Sequence, residues 1–125
     1  MFSIIFTQAA LKQLKKIVKK EKAVNKVMKE KFTALQRIKF KDAIKSGQIK
    51  IVEGISNKII NSLVEKDYEP FVYEYHNFPK QYPYRIYFVK RENALIILRI
   101  LHHQDIKNKL AEQLITNIKE NIFKG

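Results

Sequence analysis

Arg85, Arg99 and His103 are the residues of this chain whose types and spacing can do chemistry together, with Tyr87 set among them. A guanidinium grips phosphate with two parallel donors, and an imidazole changes charge near neutral pH. Cleavage of RNA without a metal needs cations to stabilise the pentacoordinate phosphorus, an acid for the leaving 5′ oxygen and a base for the 2′-hydroxyl proton. Arg85, Arg99 and His103 suit the first two roles. For the base, Glu74, Glu69 and a neutral histidine are all open, and Tyr87 is available to stack on a nucleobase. Metal chemistry is not expected. Of the three histidines, His102 and His103 are neighbours on a strand and point to opposite faces, so they do not readily share an ion. There is no cysteine for a thiolate site or a disulfide, no Gly-flanked nucleophilic Ser and no Gly-rich phosphate loop, and no cofactor is implied.

The element that must position these residues is the stretch Tyr84 to Ile106, YRIYFVKRENALIILRILHHQDI. Two runs rich in β-branched and aromatic residues flank a polar turn, which predicts an antiparallel hairpin at the centre of a sheet. Strand alternation sets Tyr84, Ile86 and Phe88 against Arg85, Tyr87 and Val89, and Ile96, Leu98 and Ile100 against Leu95, Ile97, Arg99 and Leu101. For the two even-numbered apolar sets to share one face, the loop must contain an odd number of residues, such as Glu92-Asn93-Ala94. That register gathers Arg85, Tyr87, Arg99 and His103 on the second face, with Arg99 near Tyr87 and His103 just past the pairing.

The other elements follow in chain order. Phe2 to Phe6 reads as a strand, and Thr7 as the cap of a helix with Ala10, Leu14, Ile17 and Val18 inward and Lys12, Lys15, Lys16, Lys19 and Lys20 outward. A second helix is expected from about Val24 to Lys45, stopped by Ser46-Gly47 and forming a helical hairpin with the first. QIKIV at 48–52 reads as a strand or a link, and 56–66 as a short helix with Ser56 as its cap. Phe71 to His76 alternates like a half-buried strand, and NFPKQYP is a Pro-held loop. Asp105 is placed to cap a last helix whose stripe is Ile106, Leu110, Leu114, Ile118 and Ile122.

The 125 residues suit a single domain, 1–125, of α+β class. The net charge is +13, and between Leu11 and Lys45 there are 13 basic residues against Glu21, Glu30 and Asp42, so one segment supplies most of the field. Such a field favours nucleic acid or an acidic partner, and nominates Lys12, Lys15, Lys16 and Lys19 as nucleic-acid contacts. No apolar run reaches the roughly 18 residues of a membrane span, which predicts a soluble, cytoplasmic chain without membrane contact.

YRIYFVKRENALIILRILHH resembles the carboxy-terminal hairpin of the RelE/ParE superfamily of bacterial type II toxins, and FSIIFTQAALKQLKKI resembles its opening strand and helix. The resemblance implies an opening strand parallel to the last one, about four strands in all with helices on one face, and it makes 46–66 an insertion. It also implies the toxin of a toxin–antitoxin pair, bound by a small antitoxin protein. In the ribosome-dependent RNase branch an Arg occupies the motif matched by Tyr84-Arg85-Ile86, and in some members a catalytic His ends the last strand as His103 does. ILRILHHQDI is equally similar to the ParE branch, whose members poison DNA gyrase without nuclease activity, and there a His without a catalytic role matches His102. The expected function is thus an mRNA endonuclease acting on the ribosome, with a gyrase inhibitor or a non-toxic basic binding module on the same fold as alternatives.

Overall fold

The computed structural model describes residues 1–106 and 109–124. Among them the chain forms five strands, five α-helices and one 3-10 turn. In chain order these are β1 (Ser3–Phe6), α1 (Gln8–Lys20), α2 (Val24–Gln36), α3 (Phe40–Ser46), β2 (Ile49–Ile51), α4 (Asn57–Glu65), β3 (Tyr73–Tyr75), β4 (Tyr84–Arg91), β5 (Ala94–His102), the 3-10 turn His103–Asp105 and α5 (Leu110–Asn121). The strands make one mixed sheet in the order β1-β5-β4-β3-β2, with β1 parallel to β5 and the remaining pairs antiparallel. The α+β class and the parallel placing of the first strand beside the last are as expected. The strand count is five rather than about four.

The fifth strand comes from the segment expected to be an insertion. Ile49–Ile51 pairs with Tyr73–Tyr75 at one edge of the sheet, and α4 follows it, burying Ile59 and Leu63. Ser56 precedes α4 but makes no side-chain cap bond.

Both faces of the sheet are covered, where one was expected. Ala10 of α1, Val24, Met28 and Leu35 of α2 and Ala43 of α3 pack with Ile86, Phe88, Leu95, Ile97 and Ile100 on the first face. Ile59 and Leu63 of α4 and Leu114 and Ile118 of α5 pack with Tyr87, Val89, Ile96, Leu98 and Leu101 on the second. With each fully buried aliphatic side chain contributing about 1.5–3 kcal/mol, two such layers are what hold the hairpin in the middle of the molecule.

The turn of the hairpin also differs from expectation. Ala94 pairs with Arg91, so the loop is only Glu92-Asn93, with Glu92 in the left-handed region at φ 52°. The odd residue sits instead within β5. Tyr87 pairs with Arg99 and Phe88 with Ile97, leaving Leu98 as the extra residue of a β-bulge. Beyond the bulge Ile97 and Leu95 take the first face with Phe88, while Leu98 and Ile96 turn to the second, reversing the expected faces for that half of the strand.

The long second helix breaks into α2 and α3 at Arg37–Lys39. The Gln36 carbonyl accepts from the Phe2 N–H at 2.8 Å, so the end of α2 ties down the start of β1. The offset after the break carries the Phe40 ring to the edges of Tyr73 (4.9 Å), Phe2 (6.0 Å) and Phe88 (6.2 Å). Helix α3 then stops at Gly47, whose φ of 80° suits a residue without a Cβ. At the other end, Asp105 closes the 3-10 turn rather than capping α5, which begins at Leu110; positions 107–108 of the expected first turn lie outside the described residues.

Thr7 performs the expected capping and more. Its Oγ1 accepts from Ala10 N–H at 3.2 Å and donates to the Ile97 carbonyl at 2.8 Å, joining α1 to β5 where β1 ends. Thr7→Val keeps the shape and leaves a buried carbonyl and an amide without that partner, so it should lower stability by about 1–3 kcal/mol. An unchanged urea midpoint would show that the clamp contributes nothing.

Candidate functional site

The site begins at Glu74, a carboxylate on β3 that is only 9% exposed. Cross-strand pairing sets Glu74 opposite Tyr87, and Tyr87 opposite Arg99, so three polar residues stand abreast on the second face. The Tyr87 hydroxyl donates to Glu74 Oε2 at 2.8 Å, and Arg85, two residues before Tyr87 on the same side of β4, reaches Glu74 Oε1 with Nη1 at 3.5 Å. Arg85 Nη2 lies 3.4 Å from His103 Nδ1. Glu74, Arg85 and His103 thus form a chain running from the buried sheet to its surface.

This chain opens into a hollow of about 170 Å³ lined by His76, Phe78, Pro79, Lys80, Pro83, Tyr84, Arg85 and His103. Proline-held loop 77–83 makes one wall. His103 is fixed as the first residue of the 3-10 turn, its N–H donating to the Pro83 carbonyl at 2.7 Å. Lys80 was not foreseen as a site residue, and His76 only as one of three histidines left open as the base. The sequence held a signal for His76, since strand alternation sets it on the same face as Glu74, and the β3–β4 register continued by one step places it across from Arg85.

Arg99 belongs to a different place. Beyond Phe6 the outer edge of β5 runs on to His102 without a partner strand among the described residues, and there α1 and the start of α5 border a groove of about 840 Å³. Its lining includes Lys16, Lys20, Arg99, His102, Tyr84 and the carboxylates Glu21 and Asp105. Arg99 donates from Nη1 to Gln113 Oε1 at 3.1 Å, while its buried Nε has no acceptor among the described residues. Burial lowers the Arg99 pKa, with Asp105 acting in the opposite sense. Gln13 reaches in from α1 and accepts the Ile100 N–H at 3.0 Å, satisfying one donor of the free edge. Tyr84 forms a wall of both the hollow and the groove.

Of the expected cluster, then, Arg85 and His103 meet, and Arg99 stands apart in the groove. Tyr87 is not available to stack on a base: it is 0% exposed, and its hydroxyl is committed to Glu74. Tyr84 and Phe78 are the partly exposed aromatics that line the hollow. Lys12, Lys15, Lys16 and Lys19 are all exposed on α1, but only Lys16 of these lines the groove, joined by Lys20. His102 is spoken for structurally, its Nδ1 accepting from Gln104 N–H and its ring meeting Tyr84 edge-on at 5.2 Å. Among the carboxylates considered as the base, both Glu74 oxygens are engaged, and Glu69 is taken by Tyr73 and Lys90.

No protein-family model, curated protein or solved structure matches this chain. Its function has to be read from its own side chains. Among the described residues there is no group of three or more His, Asp or Glu placed to hold a metal ion, and no helix long and apolar enough to cross a membrane.

Burial, followed by the hydrogen bond and charge of Glu74, raises the Tyr87 pKa well above its ordinary 10.0, with Arg85 opposing; burial and Glu69 raise Tyr73 in the same way. The folded protein therefore keeps phenolic protons that the unfolded chain releases, so stability is whole below pH 10 and falls as pH rises beyond it. Tyr87→Phe should make that alkaline fall shallower while costing about 1–3 kcal/mol at pH 7, because Glu74 loses a buried donor. Urea melts from pH 7 to 11 read both effects, and an alkaline limb as steep as before would refute the assignment to Tyr87.

Proposed function

We propose that this chain is a growth-inhibiting toxin that cleaves messenger RNA on the ribosome without a metal ion. The observation that carries the reading is the Glu74–Arg85–His103 chain opening on a hollow that also holds Lys80. Glu74 positions Arg85, whose remaining donors, with Lys80, suit the non-bridging oxygens of one phosphodiester. When the guanidinium turns to phosphate it releases His103, and the imidazolium form of that ring is placed to protonate the leaving 5′ oxygen.

The groove supports the same reading. It lies on the other side of Tyr84, where a strand leaving the hollow would cross the ring and meet Lys16, Lys20 and Arg99. Glu21 and Asp105 on its rim disfavour phosphate close to them and so narrow the path to the lysine side. The +13 net charge suits approach to a ribosome. The resemblance to the RelE/ParE toxins points the same way and adds a proposed partner, an acidic antitoxin segment that would cover the lysine face of α1.

The test is brief induction of the chain alone in a bacterial host, with mapping of RNA 5′ ends and of plasmid supercoiling in the same samples. New ends inside translated frames should appear, and should fall by about 10²–10⁴ in Arg85→Ala and His103→Ala. Intact transcripts with altered supercoiling or DNA breaks would replace this reading with gyrase inhibition, and harmless expression would leave a basic binding module.

Lys16 and Lys20 can be tested by binding. Replacing both with Glu should weaken binding to ribosomes or single-stranded RNA and lower the slope of log affinity against log salt by about 1–2. An unchanged slope would remove the groove from the RNA path.

A further inference from the structure

We infer that His76 is the general base of the hollow, so that cleavage here runs on two imidazoles, His76 and His103, with Arg85 between them. This rests on the RNA-cleavage reading above and names the group that reading lacks.

The evidence is in the hydrogen bonds of the two rings. His76 Nε2 contacts the carbonyl oxygen of Gly47, which closes α3. A carbonyl only accepts, so Nε2 carries the proton of the neutral ring and Nδ1 keeps the lone pair. Among the described residues the ring has no other hydrogen bond. His103 has the opposite arrangement. Arg85 Nη2 only donates, so the Nδ1 atom 3.4 Å from it is the acceptor and the neutral ring's proton is on Nε2. The two rings line one hollow of about 170 Å³, a size that suits a phosphodiester. No carboxylate competes for the role, because Glu74 and Glu69 have their oxygens occupied and neither lines the hollow.

The step balances without a co-reactant. Nδ1 of His76 takes the 2′-hydroxyl proton, the O2′–P bond forms and the P–O5′ bond breaks. The His103 imidazolium, its contact with Arg85 exchanged for phosphate, gives a proton to O5′. The products are a 2′,3′-cyclic phosphate and a 5′-hydroxyl, leaving His76 protonated and His103 neutral, and exchange with solvent restores both.

The rival role for His76 is structural, since its bond to Gly47 pins the turn before β2 to the end of β3. His76→Gln separates the two, because the amide retains a donor for Gly47 but offers no comparable base. The experiment follows cleavage of message on programmed ribosomes by the purified full chain, using RNA with either oxygen or sulfur at the 5′ leaving position. Sulfur leaves without a proton. His76→Gln should melt within a few degrees of the unsubstituted protein and cleave about 10²–10⁴ more slowly on both substrates. His103→Ala should be as slow on oxygen and recover most of its rate on sulfur. His76→Ala should regain activity when free imidazole is added. If the unsubstituted protein cleaves and leaves a cyclic phosphate but His76→Gln keeps its rate within about threefold, or imidazole fails to rescue His76→Ala, the base is another group and the cleavage reading stands. If the unsubstituted protein cleaves neither free nor ribosome-bound RNA, the cleavage reading and this inference fall together.

Discussion

The structure depends on a hairpin buried on both faces. Between Tyr87 and Leu98 nearly every side chain of β4 and β5 goes into one apolar layer or the other, with Phe88 and Ile97 below and Val89 and Ile96 above. A strand in that position has little room for charge in its middle, so charged groups gather at its ends: Lys90 and Arg91 beside the turn, and the hollow and the groove at the other end. The exception is the row Glu74, Tyr87 and Arg99 across the second face. An unpaired buried ion is far more costly than the roughly 1.5–3 kcal/mol that one buried aliphatic side chain contributes. Glu74 is accordingly paired with Arg85 and takes the Tyr87 hydroxyl, while Arg99, which is only partly buried, bonds to the neutral Gln113. The row that interrupts the core therefore also fixes the direction of Arg85.

Much of this was legible in the sequence where a side chain's role is local. Thr7 caps α1, Gly47 ends a helix, and the hairpin, the short α4 and the apolar stripe of α5 all lie where periodicity puts them. The face of β5 was not legible. LIIL at 95–98 is apolar without interruption, and a continuous run of that kind suits a strand covered on both sides without saying which residue faces which layer. The bulge at Leu98 settles it, and no residue there announces a bulge. The helix break at Arg37–Lys39 was equally hidden, because it answers to Phe2 and Tyr73, both distant in sequence.

The site divides in the same way. Arg85 and His103 could be brought together by counting outward from the turn, since both lie near the end of the hairpin. The burial of Tyr87 could not, because it depends on Glu74 arriving from β3 and on α5 covering the face. His76 depends on Gly47, 29 residues away, and Arg99 on Gln113, 14 residues on. Hydrogen bonds of that reach decide which of several plausible side chains is free to act.

The clamp between Thr7 and Ile97 spans 90 residues, so the first of the five strands is completed by the fifth. At a synthesis rate of 5–20 residues per second, β1 waits roughly 5–20 s for its partner. Until then α1 has no strand to dock on, and the hollow lacks both His103 and the hairpin end that supports it. Pairings this distant also slow the search for the native state. Until β5 has been made, a nascent chain therefore lacks the surfaces proposed to act on RNA.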